Sequence, residues 1–463
     1  MVGEPLRRMI GQPTAWLVGI GVAIGSGIFR TPGSVAAALT VRSLILAAWL
    51  VGGLIVLMQG MVTAELATRH PKAGGEYVFL KEAYGAFAAF LFGWGYTVFI
   101  LGGGVAAIMA ALGDFACALF GWSTSWSGPV AAIAVIVVIA VNAAGLRTGA
   151  GVQNVLTLIK IGALAAVAVI GITMAVPDAG VGAAHVAAAG DGATAVDVAA
   201  RGAASAVAMG PHDWSLLAFI GALIPVLWAY DGTTDAVKLS EEIKDVRRVI
   251  PRAVIGSTLA LIGLYLLVNY GLLRIVPPAD AARFSSVPGE AMGRVFGAGG
   301  RRVMLVVAII VCLGSAGATV LASIRVTFAL ARDGLAFRFL ARMSRGQAPV
   351  PALMVVGTVA VVLVLTRRFE DVLGIYFFAS AVLFGLSYAS LIVFRVRERG
   401  IPDGVYRCPM GSVLAAMLVA IQIALMVHIA RTSPADTLGT VGLLVVLGVL
   451  YRFRRAPSGT AEP

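Results

Sequence analysis

Charged residues are scarce in this sequence. They make up 13% of its 463 residues, about half the share that is typical of soluble domains. Apolar residues account for 59% of the chain, and its mean hydropathy is +0.94. A chain so poor in charge cannot cover the surface of a water-soluble globule. The composition therefore predicts a polytopic membrane protein.

Cysteine is also rare, and the three cysteines lie far apart within or beside apolar segments: Cys117, Cys312 and Cys408. This spacing favours neither a disulfide framework nor a metal site, so we interpret them as small buried side chains. The four histidines show no ligand spacing. We therefore expect no metal and no cofactor.

Several functional classes lack their usual signals. The sequence has no nucleophile and base pair, phosphate-binding loop or sizeable soluble domain, which argues against an enzyme or a receptor. No repeated polar filter sequence suggests a channel. The net charge of +12 is spread over many short loops, so we expect attraction to the lipid bilayer and no nucleic-acid partner.

Long apolar runs are what the sequence has in abundance. A window of about 20 residues, the length that crosses a bilayer, identifies twelve predicted transmembrane helices. They lie near 14–39, 43–64, 86–113, 128–144, 150–176, 214–237, 251–273, 303–331, 351–366, 371–394, 411–430 and 434–451. The predicted fold class is an all-α polytopic membrane protein, and the first run is too long to be a cleavable signal.

The distribution of basic residues predicts the orientation of these spans. If Met1 is cytoplasmic, the inner loops and helix ends carry roughly twice as many lysines and arginines as the outer ones. We therefore expect a multi-pass protein of the plasma (inner) membrane with both termini in the cytoplasm.

Two apolar runs are interrupted at membrane depth. The first interruption is Gly25-Ser26-Gly27-Ile28-Phe29, and the second is Ala229-Tyr230-Asp231-Gly232. Irregular backbone inside a bilayer is tolerated chiefly where it lines a protein-enclosed or watery cavity. Paired interruptions in two halves of a chain indicate the substrate site of a transporter.

The placement of the breaks also predicts the organisation of the chain. Each of two five-span units would begin with a broken helix, which is the pattern of two repeats with opposite membrane orientation. The predicted segments are a cytoplasmic N-terminus (1–13), a first repeat (14–176), an external connection (177–213), a second repeat (214–394), helices 11 and 12 with the preceding loop (395–451) and a cytoplasmic C-terminus (452–463).

Several motifs resemble those of the amino acid, polyamine and organocation (APC) transporter superfamily. They are Gly25 to Phe29 in the first helix, Glu65 to Thr68 with Pro71, Gly74 to Tyr77 and Ala83 to Gly85 after the second, Trp228 to Gly232 with Glu241 to Lys244 and Ile250 to Arg252 around the sixth, and Ala331 to Gly334 at the end of the eighth. Within the superfamily the sequence looks most similar to the L-type amino acid transporters and their bacterial relatives. One difference is Thr233, where the L-type pattern usually has an aromatic residue.

This resemblance implies the inverted-repeat fold of the leucine transporter, with helices 1 and 6 broken and helices 11 and 12 added, and a small-molecule amino acid as substrate. Backbone N–H groups of Ser26, Gly27 and Ile28 would bind the substrate carboxylate, and Gly25 would belong to the same substrate site. Carbonyl groups near Ile24, Trp228, Ala229 and Asp231 would accept hydrogen bonds from the ammonium. The alternative interpretation of the glycines is close helix packing.

Three side chains near the second break have open interpretations. We favour Trp228 as a gate over the substrate, against an ordinary packed aromatic, and weigh substrate contact and packing evenly for Tyr230. Asp231 could cap the broken helix, bind a cationic substrate side chain or carry a proton, and we favour capping and pocket polarity. Asp235, one helical turn further, is expected near water.

Lys160 is a single basic residue in the apolar fifth span. The resemblance implies that its ammonium replaces the sodium ion that related transporters bind between helices one and eight, with Gly314 and Ser315 as partners on helix eight. The alternatives are a lysine that reaches the inner surface and the seat of a coupling proton. We also expect Glu65, Arg69, Glu76 and Arg332 to form either an inner gate or a structural loop network.

These observations predict a sodium-independent secondary transporter that exchanges neutral amino acids by alternating access. The alternatives are a proton-coupled amino acid importer and an exchanger of cationic amino acids or polyamines. The sequence leaves open whether an auxiliary subunit is required.

Overall fold

A computed structural model describes residues 8, 10–144, 146–174, 215–344, 346, 348–366, 369–398 and 402–453. Regular structure in these ranges is helical, apart from one isolated bridge between Ile10 and Ile243. The predicted external connection, 177–213, lies outside the described residues.

Eight α-helices precede the predicted connection. They are α1 (Gln12–Ala23), α2 (Gly27–Ala38), α3 (Arg42–Arg69), α4 (Glu76–Tyr84), α5 (Ala86–Gly95), α6 (Gly103–Phe120), α7 (Ser127–Ala143) and α8 (Leu146–Thr173). A π-helical segment, Tyr96–Gly102, joins α5 to α6, and a 3₁₀ turn, Thr124–Trp126, precedes α7. Because α5, the π segment and α6 run on without a gap, they form one long span.

Eight further α-helices follow the predicted connection. They are α9 (Leu216–Tyr230), α10 (Val246–Ile275), α11 (Pro278–Ala281), α12 (Val287–Arg332), α13 (Val350–Thr366), α14 (Phe369–Arg397), α15 (Gly411–Thr432) and α16 (Pro434–Phe453). A 3₁₀ segment, Asp235–Glu242, lies between α9 and α10, and another, Arg338–Ala341, lies between α12 and α13.

The lengths and apolar character of the helices confirm an all-α polytopic membrane protein. Ten helical segments in the described ranges are long and apolar enough to cross a membrane, or eleven if α1 and α2 count as one bent span. The predicted span at 351–366 coincides with α13, an apolar helix of 17 residues. The total of twelve spans and the inverted repeat remain predictions.

Both predicted breaks are present. The axes of α1 and α2 differ by 45°, and Ile24, with ψ of 88°, leaves the helical conformation between them. The second break begins at Asp231, whose ψ is 143°, and continues through Gly232 at φ of +99°. A residue with a side chain rarely adopts that positive φ, which explains a glycine at this turn.

The two breaks lie against each other. A Cβ atom added at Gly27 would come within 2.5 Å of the Cα atom of Ala229, and one added at Gly232 would come within 2.2 Å of the Val22 side chain. Glycine at these positions lets the two interrupted backbones approach closely. This approach places unpaired backbone groups of both breaks in one region of the bundle.

Helix α12 is too long for one span, because 46 residues would extend about 69 Å. Gly297, at φ of +67°, divides it and leaves a shorter segment, 287–296, before the span itself. We call the end of the bundle that contains Asp114 the Asp114 end. The opposite end, where α3 and α14 finish, is the Arg395 end.

Candidate functional site

The last three carbonyl groups of α1 each accept a hydrogen bond from a different helix. Lys160 Nζ on α8 donates to the Gly21 carbonyl oxygen at 2.8 Å, and Ser315 Oγ on α12 donates to that of Val22 at 2.6 Å. The third carbonyl, at Ala23, is 3.1 Å from the hydroxyl of Tyr265 on α10. Carbonyl groups at a helix C-terminus lack partners within the helix, so these three side chains satisfy the interrupted end of α1.

Lys160 is fully buried at this position. A Cβ atom added at Gly314 would lie 2.8 Å from Lys160 Cε, so the glycine provides the space through which the lysine reaches α1. The structure therefore brings Lys160, Gly314 and Ser315 together between α1, α8 and α12. The interpretation of Lys160 as a lysine extending to the membrane surface is wrong, because its side chain is enclosed and faces α1.

Tyr265 connects the two breaks, and the sequence analysis missed it. Its hydroxyl is 3.1 Å from the carbonyl oxygen of Ala23 and 3.0 Å from that of Ala229. The side chain is fully buried. The available signal was a tyrosine in the middle of an apolar run, since tyrosines of membrane helices prefer the interfaces.

Several polar groups at the first break have no partner among the described hydrogen bonds. The first backbone bonds of α2 run from Phe29 and Arg30 to the Ser26 carbonyl, at 3.2 and 3.0 Å. Among the described hydrogen bonds, none has the backbone N–H of Ser26, Gly27 or Ile28 as donor, and the buried Ser26 hydroxyl also has no partner. Buried polar groups are rarely left without a hydrogen bond in proteins.

A cavity of about 90 Å³ lies beside both breaks. Its lining includes Gly25, Ser26 and Gly27 from the first break and Trp228, Tyr230 and Asp231 from the second. A single water needs about 10–15 Å³ of such space, so the cavity has room for a small molecule. Polar groups from both breaks thus line one cavity.

The aromatic residues before the second break differ in their surroundings. The Trp228 ring packs edge-on against Tyr376, with ring centres 5.0 Å apart, on the wall of the cavity. The Tyr230 ring instead packs against Trp49 and Tyr265, and its hydroxyl donates to the Trp49 carbonyl at 3.2 Å. The Trp228 ring therefore lies on the wall of the cavity, whereas the Tyr230 ring packs in the core.

Asp231 faces the cavity. The residue is exposed to that space, and its carboxylate accepts a hydrogen bond from the Tyr376 hydroxyl on α14. The N-cap position of the 3₁₀ segment after the break is occupied by Thr234 and not by Asp231, and the Thr234 side chain accepts no capping hydrogen bond. Asp231 thus contributes a polar side chain to the wall of the pocket.

The expectation that Asp235 lies near water is wrong. Asp235 is 5% exposed, and it accepts hydrogen bonds from Lys238 and, at 3.0 Å, from Ser323 on α12. The Tyr96 hydroxyl in turn donates to Ser323 at 2.8 Å. Tertiary packing against α12 and the π segment encloses this aspartate, which its sequence position beside a loop did not reveal.

Ion pairs join neighbouring helices at both ends of the bundle. At the Arg395 end, the buried side chain of Arg325 donates to both carboxylate oxygens of Glu242, at 2.8 and 3.3 Å. Another group there joins Glu65 to Arg69, Arg395 and the backbone N–H of Cys408. At the Asp114 end, Arg30 pairs with Asp114 at 2.5 Å.

The residues predicted to form one inner gate are divided among separate contacts. Glu65 and Arg69 bind to α14 and the loop that follows it, whereas Arg332 pairs with Glu241 at 3.2 Å. Glu76 lines the cavity instead.

The described part of the chain holds no cluster of three potential metal ligands. Its three cysteines are buried, as predicted for small apolar side chains.

Known proteins with similar sequences are transporters. A serine/threonine exchanger of Bacillus subtilis is 27% identical over 400 residues, which cover 85% of this chain and 85% of that protein. An uncharacterized transporter of Mycobacterium tuberculosis is 30% identical over 408 residues, covering 86% and 82% of the two chains. The b(0,+)-type amino acid transporter 1 of Homo sapiens is 26% identical over 399 residues, covering 85% and 77%.

These similarities confirm the expectation of a membrane transporter of the APC superfamily and agree with the prediction that the chain is not an enzyme. Both broken helices and the residues that line the cavity lie within residues 10–450. A family model described as amino acid permease matches residues 10–450, and the chain therefore belongs to the amino acid permease family.

Proposed function

We propose that the protein is a sodium-independent exchanger of neutral amino acids that works by alternating access. The observation that carries this proposal is the set of three backbone N–H groups at the first break without partners in the described part of the chain. Free N–H groups of Ser26, Gly27 and Ile28 at the start of α2 suit a carboxylate, because a helix N-terminus attracts negative charge. Family membership and the exchanger among the relatives support an amino acid as the exchanged substrate.

The substrate ammonium has a matching acceptor. The carbonyl groups of Gly21, Val22 and Ala23 are already bonded to side chains, whereas among the described bonds the next one, at Ile24, accepts none. We assign the ammonium to the Ile24 carbonyl, assisted by the second break near Trp228, Ala229 and Asp231. Gly25 would keep the backbone open there, since Ser315 Oγ leaves no space for a larger residue.

Sodium independence rests on Lys160. Its buried ammonium occupies the space between α1, α8 and α12 and donates to an α1 carbonyl. A sodium ion at that position would compete for the same oxygen atom and for the same volume. We therefore infer that the lysine supplies the positive charge permanently.

The ion pairs suggest how the cavity is closed from either side. Alternating access requires separation of Arg325 from Glu242 when the Arg395 end opens, and separation of Arg30 from Asp114 when the other end opens. We assign the Arg395 end and both termini to the cytoplasm of a cell with this protein in its plasma membrane, because basic residues concentrate on the inner side.

A second candidate substrate class is favoured by one observation. The Asp231 carboxylate lies on the cavity wall, where it could pair with a cationic side chain. Exchange of cationic amino acids or polyamines would then depend on Asp231, whereas exchange of neutral amino acids would tolerate Asp231→Asn.

Counterflow in proteoliposomes tests the proposal. The purified protein is loaded on the inside with each common amino acid or polyamine in turn, and uptake of the labelled compound is measured in sodium and in an inert cation. We expect neutral amino acids to exchange equally well in both solutions. Strict dependence on sodium would contradict the role of Lys160, and preference for cationic compounds would favour the second candidate.

Replacement of Lys160 sharpens this test. Lys160→Met should reduce exchange by at least about tenfold, because the Gly21 carbonyl loses a charged hydrogen-bond donor inside the protein. Lys72→Met is the matched control, since that lysine is exposed and should leave exchange unchanged. Normal exchange by Lys160→Met would contradict the proposed role.

A further inference from the structure

Glu76 is a buried carboxyl group at the edge of the cavity. It is the first residue of α4, a short helix outside the predicted spans, and is 2% exposed. Its Oε2 atom is enclosed and has no hydrogen-bond partner. A charged carboxylate oxygen left in this state is costly, because burial removes the water that would otherwise stabilise it.

The charged neighbours of Glu76 do not supply the missing donor. Lys238 is the nearest base, but its ammonium donates to Asp235 and lies 5.1 Å from the centre of the Tyr96 ring. Asp235 and Asp231 oppose ionisation of Glu76 through their own negative charges.

Two tyrosine hydroxyl groups, those of Tyr96 and Tyr388, complete the titratable surroundings of Glu76. The Tyr96 hydroxyl donates to Ser323. The Tyr388 side chain belongs to α14 and is 4% exposed. A tyrosine hydroxyl is neutral or negatively charged, so neither tyrosine can balance an ionised Glu76.

Several kinds of ligand could satisfy the free oxygen atom, and its enclosure decides among them. A substrate ammonium or a metal ion needs open space beside Oε2, but that atom has almost no accessible surface. A proton needs none. Burial raises the pKa of the Glu76 carboxyl above its ordinary value, and the charge of Lys238 opposes this rise only in part.

Contacts around Glu76 connect it to the opening of the Arg395 end. The neighbouring Gly74 donates its backbone N–H to the Lys238 carbonyl at 3.2 Å, and a Cβ atom added at Gly75 would lie 3.1 Å from the Lys238 side chain. Lys238 and Glu242 belong to the same 3₁₀ segment. If this segment moves away from α4 when Glu242 separates from Arg325, water gains access to Glu76.

We propose that Glu76 is a proton-binding site of the transport cycle, which binds a proton when the Arg395 end closes and releases it to solvent when that end opens. This inference rests on the proposed exchange function, and it assigns proton binding to Glu76 and not to Lys160, which was one alternative from the sequence. The proton controls closure of the Arg395 end and is not transported. The proton passes from solvent at the Arg395 end to a carboxylate oxygen of Glu76 and returns by the same route. No other bond is made or broken.

The pH dependence of exchange tests the proton site. Closure with Glu76 ionised is unfavourable, so exchange by the wild type should slow as pH rises, by up to about tenfold for each pH unit above the carboxyl pKa. Glu76→Gln mimics the protonated form and should exchange at a rate that no longer depends on pH over this range. The measurement is counterflow of a transported amino acid at equal internal and external pH.

The matched control is Glu82→Gln, because Glu82 is an exposed carboxylate on the same short helix. It should keep the pH profile of the wild type. A flat wild-type profile, or an unchanged slope in Glu76→Gln, would overturn the proton site while leaving exchange intact. Absence of exchange by the wild type at every pH would instead contradict the proposed function.

A second measurement does not depend on the folding of a variant. Addition of substrate to the wild-type protein in weakly buffered solution above the Glu76 pKa should cause uptake of up to about one proton per molecule, because binding favours the closed form. A pH indicator records this uptake. Binding without a change in pH would overturn the proposal.

Discussion

The two broken helices both interrupt helical hydrogen bonding beside the cavity, but they differ in the side chains that surround the break. The first break, between α1 and α2, carries no charged side chain of its own and receives its polar contacts from Lys160, Tyr265 and Ser315. The second break, after α9, carries Asp231 and is followed by the buried Asp235. The first break thus offers mainly backbone polar groups, whereas the second also offers carboxyl side chains.

This difference suggests a division of labour. Backbone groups can recognise only the carboxylate and ammonium that all amino acids share, so the first break would bind every substrate alike. The charged side chains beyond the second break lie closer to the groups that open and close the Arg395 end, including Glu242. We therefore expect changes at the first break to abolish binding and changes near the second to alter selectivity or gating.

The largest effect is expected at the contact between the breaks. Gly27→Val would place a Cβ atom 2.5 Å from Ala229 Cα, so the two backbones would have to separate. Overpacking of this kind costs about 1–3 kcal/mol or more, and we expect substrate affinity to fall by about 100-fold. Equilibrium binding of labelled substrate to the purified variant measures the loss.

The control for this substitution is Gly162→Ala, in the span that carries Lys160, because a Cβ atom there meets no atom within 4 Å. It should bind normally. Wild-type affinity in Gly27→Val would show that close approach of the breaks is not needed for the site.

A smaller effect is expected at the wall of the cavity. Trp228→Ala removes the ring that packs against Tyr376, and such aromatic contacts contribute about 0.5–1.5 kcal/mol. We expect affinity to fall by about tenfold and bound substrate to leave faster, as measured by the release of preloaded label. Trp228→Phe should retain most of the contact, and an unchanged release rate in Trp228→Ala would make this residue a packing element only.

The smallest effect is expected where one hydroxyl joins the two breaks. Tyr265→Phe preserves the ring but removes the hydrogen bonds to the Ala23 and Ala229 carbonyl groups. A hydrogen bond of this kind contributes about 0.5–1.5 kcal/mol, so affinity should fall by about threefold to tenfold. The control is Tyr270→Phe, because Tyr270 is an exposed tyrosine on the same helix. Equal affinities of the two variants would show that the Tyr265 hydroxyl does not contribute to substrate binding.

Much of the site was predictable because its signals are local. Glycine within an apolar run indicates a break wherever it occurs in a span, and the structure places both predicted breaks beside one cavity. The position of Lys160 between α1 and α12 follows the resemblance to the superfamily. Asp235 was assigned wrongly because its burial depends on α12, which lies far away in the sequence.

The surroundings of Tyr265 and Glu76 could not be predicted from the sequence. Tyr265 lies 242 residues from Ala23, and its importance depends on which face of α10 turns toward both breaks. Glu76 lies outside the predicted spans, and only the structure shows that its Oε2 atom is enclosed without a hydrogen-bond partner.

The sequence by itself determined the membrane class, the positions of most spans and the two places where helical hydrogen bonding fails, because these depend on hydrophobicity and glycine within short windows. The tertiary structure alone decided which distant side chains satisfy the exposed carbonyl groups and which carboxyl group is left without a partner. Such contacts depend on how whole helices rotate and pack, and no short segment contains that information.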